Sequence, residues 1–107
     1  MALNISIEEI EGEARLTMSG ELDAAAAPQF KEAVEKVAVA APKRLVLFMD
    51  QLDFLASAGL RVLIFARQKM GADVSIYVIG RKGPVTATLE MSGFSQSVFM
   101  QDSYSPE

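Results

Sequence analysis

The sequence contains no cysteine, no histidine and no tryptophan. Without cysteine there is no disulfide framework, no thiol nucleophile and no thiolate metal site, which fits a reducing compartment and makes the cytoplasm the expected location. Without histidine, Ser-His-Asp and Cys-His catalysis, imidazole zinc sites and histidine pH sensing are all excluded. Clustered positive charge is missing too. Ten Lys and Arg are scattered among fourteen Asp and Glu, for a net charge of -4 and a pI near 4.8, so neither nucleic acid nor an anionic membrane is an expected partner. No apolar run approaches the roughly 20 residues needed to span a bilayer. The start, Met1 to Ile10, carries Glu8 and Glu9 instead of a basic end and an apolar core, so no signal peptide is expected.

What remains is enough for one domain. The chain has 107 residues, half of them hydrophobic, and folding should remove roughly 65% of the surface that the unfolded chain exposes, so no staple or cofactor is needed to complete a core. Leu3, Ile5 and Ile7 alternate with Asn4, Ser6 and Glu8 up to a Glu11-Gly12-Glu13 turn, after which Ala14, Leu16 and Met18 alternate with Arg15, Thr17 and Ser19 as far as Gly20. These are two strands of an edge hairpin. Pro28 suits the first turn of a helix in which Phe30, Ala33, Val34 and Val37 form one stripe and Lys31, Glu32, Glu35 and Lys36 the opposite face, ending before Pro42. The continuous apolar run Leu45 to Met49, bounded by Arg44 and Asp50, reads as a central strand covered on both faces.

Ser57 then opens a helix through Leu60, Leu63, Ile64 and Met70 that stops at Gly71. Val74 to Ile79 is a further strand, Pro84 starts a third helix that Gly93 ends, and Val98-Phe99-Met100 adds a short last strand. Residues 1–102 make the domain, and 103–107 form a polar tail expected to fray. The order predicts an α/β fold, a mixed sheet of four to five strands with helices packed on it, the crossovers joining parallel strands.

The segment from Leu52 to Leu63 lies where a buried strand feeds a helix N-terminus, a usual docking place in open α/β sheets. Ser57 in it reads in two compatible ways. Its hydroxyl can cap the helix for about 1 kcal/mol, or it can accept a phosphate, which the free N–H groups and positive dipole end of a helix N-terminus favour. Small Ala56, Ala58 and Gly59 keep the backbone open around it. Asp23 can close an Asx turn before the first helix. Val62 and Phe65 fall nearer the side of Arg61 and Lys69, either as core-rim residues or as exposed anchors for a partner. Asp50 and Asp53 flank the same loop and could in principle form a paired-carboxylate site. Gly80-Arg81-Lys82-Gly83-Pro84 is a glycine-rich basic turn that fails the Walker spacing. Leu55 stands where the hydrolase nucleophile elbow requires its first glycine.

Phe54-Leu55-Ala56-Ser57-Ala58-Gly59-Leu60-Arg61-Val62-Leu63 resembles the signature of the STAS domain, the sulfate transporter and anti-sigma factor antagonist family. Gly20-Glu21-Leu22-Asp23, followed by small residues and Ala27-Pro28, is similar to the turn before that family's first helix. Leu89-Glu90-Met91-Ser92-Gly93-Phe94, leading into Val98-Phe99, is similar to its C-terminal helix and closing strand. The chain departs from the family at Ala56, where many relatives carry aspartate, and at Ala58, where many carry serine or threonine.

The resemblance spans nearly the whole chain and points to the stand-alone bacterial anti-anti-sigma factors. It implies a non-enzymatic binding protein that engages an anti-sigma factor serine kinase and so releases a sigma factor. Phosphorylation of Ser57 would end the binding and a PP2C-type phosphatase would restore it. It further implies that Asp23, Ala56, Ala58, Gly59, Arg61, Val62 and Phe65 meet the partner, that no cofactor or metal is used, and that the protein is a monomer or weak dimer. Two alternatives stay open: a STAS adaptor whose Ser57 is never phosphorylated, and a sensor of nucleotides or small molecules built on Arg81-Lys82.

Overall fold

The computed structural model of the chain describes residues 3–80 and 83–104. Its elements are β1 (Leu3–Ile10), β2 (Glu13–Leu22), α1 (Ala27–Ala38), β3 (Arg44–Leu55), α2 (Ser57–Met70), β4 (Ser75–Ile79), α3 (Gly83–Ser92), a 3-10 turn at Phe94–Ser97 and β5 (Phe99–Gln101). The five strands form one sheet in the order β1-β2-β3-β4-β5; β1 pairs antiparallel with β2, and every later neighbour is parallel. Arg81 and Lys82, the basic turn of the sensor reading, lie outside the described residues.

Each of the three crossovers advances one strand in the same direction, so helices added with one handedness all arrive on one face. The core agrees with this. Phe30 and Val34 of α1, Leu63 and Ala66 of α2, and Val85 and Leu89 of α3 share a single cluster with Leu16, Met18, Leu45, Leu47, Met49, Ile76 and Val78. These residues of β2, β3 and β4 are alternate positions on their strands, as period-2 geometry requires for one face.

Four sequence expectations change. The sheet's second face carries no helix among the described residues; around buried Val46 it carries half-buried Phe48 and Tyr77, with Tyr77 stacked on Phe99 at 4.9 Å. Strand β2 continues past Gly20 to Leu22. Strand β3 runs six residues beyond Met49, because it stays paired with β2 as far as Leu22, and it carries two extra residues opposite β2, one between Phe48 and Gln51 and one between Leu52 and Phe54. These bulges break the alternation, so that Leu52 and Leu55, three apart, are both buried. The polar tail is also docked at Tyr104, which is half-buried and packs edge-on to Phe48 and Tyr77. Its hydroxyl accepts from Arg44 (3.0 Å) and donates to Glu13, whose other carboxylate oxygen accepts from Arg15.

Burial alone would raise the Glu13 pKa, but the hydrogen bonds from Tyr104 and Arg15, with the charges of Arg15 and Arg44, hold it below its ordinary 4.5. A lowered carboxylate stabilises the fold above the unfolded-state value and ceases to do so as pH falls through the folded one. In urea melts, wild type is therefore expected to exceed Glu13→Gln in stability above about pH 4.5, with the gap closing as the solution is acidified. A gap that does not vary with pH would remove the carboxylate from this role. Among the described residues, no helix is long and apolar enough to cross a membrane.

Candidate functional site

The parallel register of β2 and β3 brings the two most distinctive segments together. Glu21 pairs with Phe54 and Leu22 with Leu55 at the carboxyl ends of the strands. The chain then turns into α2 through Ala56, whose N–H donates to the Leu22 carbonyl (2.9 Å) and whose extended backbone (φ -83°, ψ 165°) makes it the N-cap. Asp23 and Ser57 thus each stand one residue beyond a bonded pair, at the same end of the sheet. Asp23 closes the turn that feeds α1: its Oδ1 accepts from the Ala26 N–H (2.9 Å), and its main-chain carbonyl accepts from Ala26 and Ala27. The side-chain bond falls three residues on, not the two of an Asx turn, so Asp23 caps the Ala24–Ala26 turn, while Ala26 is the N-cap of α1.

The capping role expected of Ser57 does not hold. Ser57 is the first residue inside α2, and its side chain is exposed. The misplacement has a simple source: serine is the preferred capping residue and alanine a poor one, but the bond from Ala56 to Leu22 sets where the strand ends. Since the hydroxyl is not the cap, Ser57→Ala is expected to change stability by less than about 0.5 kcal/mol. A loss near 1 kcal/mol in a urea melt would restore the cap.

Gly59 fixes the height of the site. The first turn of α2 lies so close over the strand ends that a Cβ on Gly59 would come within 2.6 Å of Leu22 Cγ and 2.9 Å of Leu55 Cδ1. Along the outer side of α2, Ser57, Arg61, Ile64 and Gln68 are exposed at helical spacing, while Gly59, Val62, Leu63 and Ala66 face the core. Val62, at 8% exposure, is therefore not a surface anchor. Phe65 is half-buried beneath α1, with Lys31 Nζ 5.1 Å from its ring centroid. The exposed large apolar groups nearest to Ser57 along the chain are instead Phe54 (46%), three residues before it, and Ile64 (41%), seven residues after it. The bulged end of β3 turns Phe54 outward, and Ile64 lies two turns along the Ser57 stripe, a position visible on a helical wheel once the stripe starts at Ser57. Ala58 is half-buried and packs against the core.

Asp50 and Asp53 are both exposed on β3, and no group of three or more His, Cys, Asp or Glu is placed to hold a metal among the described residues. The surface is thus an open, mildly acidic shelf at the strand ends with one hydroxyl, one guanidinium and two apolar side chains presented outward. Such a shelf suits docking, and the exposed hydroxyl suits modification.

Solved structures share this architecture. An anti-sigma factor antagonist from Mycobacterium paratuberculosis superposes with a TM-score of 0.88 at 24% identity, over 95% of this chain and 87% of the other. The anti-sigma factor antagonist SpoIIAA in its unphosphorylated form gives 0.74 at 16% identity, over 94% and 90%, and the phosphorylated form of Bacillus SpoIIAA gives 0.71 at 15%, over 91% and 90%. Among curated proteins, the anti-sigma-F factor antagonist RsfB of Mycobacterium tuberculosis is 26% identical over 96 residues, 90% of this chain and 79% of the relative. The STAS domain model matches residues 4–105, almost the entire described fold and both halves of the shelf around Ser57, and the chain belongs to the STAS domain family.

Proposed function

We propose that this protein is an anti-sigma factor antagonist, docking through the shelf around Ser57 and released when Ser57 is phosphorylated. The observation that carries the reading is the placement of Ser57: exposed at the first position of α2, one residue past the N-cap, at the head of the exposed stripe that continues through Arg61 and Ile64. The partner in this reading is an anti-sigma factor that is also a serine kinase. It meets Asp23, Ala56, Ala58, Arg61 and the exposed part of Phe65, joined by Phe54 and Ile64, whereas Gly59 and Val62, both buried, support this surface from beneath. A PP2C-type phosphatase removes the phosphate. The protein is the kinase's substrate and performs no chemistry itself.

Support comes from two directions. Phosphate at the first position of a helix meets free backbone N–H groups and the positive dipole end, so it leaves the fold intact and acts on binding. The relatives described above are antagonists of anti-sigma factors, and SpoIIAA occurs in phosphorylated and unphosphorylated forms. The test is intact mass and peptide mapping after incubation with ATP and a kinase-type anti-sigma factor encoded nearby. One phosphate, mapped to Ser57, is the expected result. Tight binding without phosphate would replace this reading with the constitutive adaptor, to which Ala56, lacking the aspartate of many relatives, is suited.

A further inference from the structure

In a chain without cysteine or tryptophan, tyrosine is the side chain that loses a single electron most readily, and this chain has two, Tyr77 and Tyr104. The fold brings them together. Tyr77 stands on β4 and Tyr104 follows β5, and their rings meet on the sheet's second face with centroids 5.5 Å apart and planes inclined by 67°. The edge of one ring therefore lies against the other. Phe48, 6.1 Å from Tyr104, and Phe99, 4.9 Å from Tyr77, flank the pair, and both phenols are half-buried. A proton acceptor is already in place, because the Tyr104 hydroxyl donates to the Glu13 carboxylate. Arg44 donates to the same hydroxyl (3.0 Å) and holds its guanidinium carbon 6.0 Å from the Tyr77 ring centroid, so one side chain spans both phenols.

We propose that Tyr77 and Tyr104 are an oxidative modification site, joined by a peroxide-activated haem oxidant into a dityrosine that fastens the C-terminal segment to β4. Each phenol gives up one electron and its hydroxyl proton, the Tyr104 proton passing to Glu13 and the Tyr77 proton to solvent. The two ring radicals couple through the carbons ortho to their oxygens. The hydrogen on each joined carbon is then lost as each oxygen regains one, so the protein is lighter by two hydrogens and the peroxide, having taken two electrons and two protons, leaves as two waters. Oxidants that act by two electrons take a different course, since the six methionines consume them as sulfoxides. The new bond closes a loop that contains α3 and β5, and it restricts the unfolded chain as a disulfide would. A chain without cysteine has no thiol route to such a staple.

The test illuminates the full chain at low concentration with ruthenium tris(bipyridyl) and persulfate, which together generate a one-electron oxidant small enough to reach half-buried rings. The expected product is a monomer lighter by two hydrogens, with the blue fluorescence of dityrosine and with the peptides carrying Tyr77 and Tyr104 joined on mapping. Its urea midpoint should exceed that of the untreated protein. Tyr77→Phe and Tyr104→Phe should each abolish this product, their own urea melts showing that both variants fold. In urea above the unfolding midpoint, the yield of the 77–104 link should fall at least about tenfold, because the rings then meet only through closure of a flexible loop. Cross-linked dimers in place of the monomeric product would overturn the proposal. So would a 77–104 link that forms equally well in urea, or methionine sulfoxide without dityrosine. Every side chain invoked lies outside the shelf around Ser57, so failure here leaves that reading standing.

Discussion

Gly59→Val is expected to destabilise the protein by about 3 kcal/mol, enough to lower the thermal midpoint by on the order of 10 °C. The origin is steric and local. A Cβ at this position would lie 2.6 Å from Leu22 Cγ and 2.9 Å from Leu55 Cδ1, and the two leucines, 0% and 4% exposed, have no solvent to retreat into. Gly59→Ala should cost less, about 1 kcal/mol net, because alanine regains up to ~1 kcal/mol of helix propensity that glycine forgoes. A double-mutant cycle separates the two effects. Leu22→Ala alone should cost about 3 kcal/mol through the cavity it leaves, yet in that background Gly59→Ala should become neutral or stabilising, a coupling of about 1–2 kcal/mol. If Gly59→Ala costs the same with and without the Leu22 side chain, close approach is not why glycine stands there.

That crowding also marks where the sequence stopped being readable. Period-3.6 and period-2 patterns gave the elements, and the punctuation was sound: Pro28 falls in the first turn of α1, and Gly71, at φ 87°, closes α2 by donating to the Arg67 carbonyl (3.1 Å). The two shelf segments were legible as motifs, but their meeting depends on register, a long-range property. Residues 50–55 look like loop because two bulges shift Leu52 and Leu55 onto the core side at a spacing of three, which neither template predicts. Ala56 caps α2 because tertiary pairing outweighs its poor capping propensity. Val62 is buried because the strand ends and α1 cover a wider arc of α2 than the apolar stripe announced. Tyr104 is absent from the expected core because its docking needs Glu13 and Arg44, 91 and 60 residues earlier.

Phosphorylation of Ser57 should weaken partner binding at least a hundredfold, about 2.7 kcal/mol at ~1.4 kcal/mol per decade, while leaving the thermal midpoint unchanged or slightly raised. The phosphate adds about -1.5 to -2 charges to a shelf that already carries Glu21, Asp23 and Asp53. Burying that charge against a partner shaped for a neutral hydroxyl carries a desolvation cost that surface ion pairs do not recover. Arg61 adds a second effect. It lies four residues on, on the same exposed stripe, so its guanidinium can reach the phosphate from within the helix and is then withdrawn from the partner. Ser57→Asp, with one charge and no tetrahedral oxygens, should lose only about tenfold, and Ser57→Ala should bind as wild type does. Calorimetry on all four species at two salt concentrations checks the origin as well as the size. An electrostatic penalty on this exposed shelf shrinks as the Debye length falls below about 10 Å, whereas a steric one does not. Phosphoserine that binds within threefold of the unmodified protein would leave Ser57 as an exposed helix residue and the shelf as a constitutive docking face.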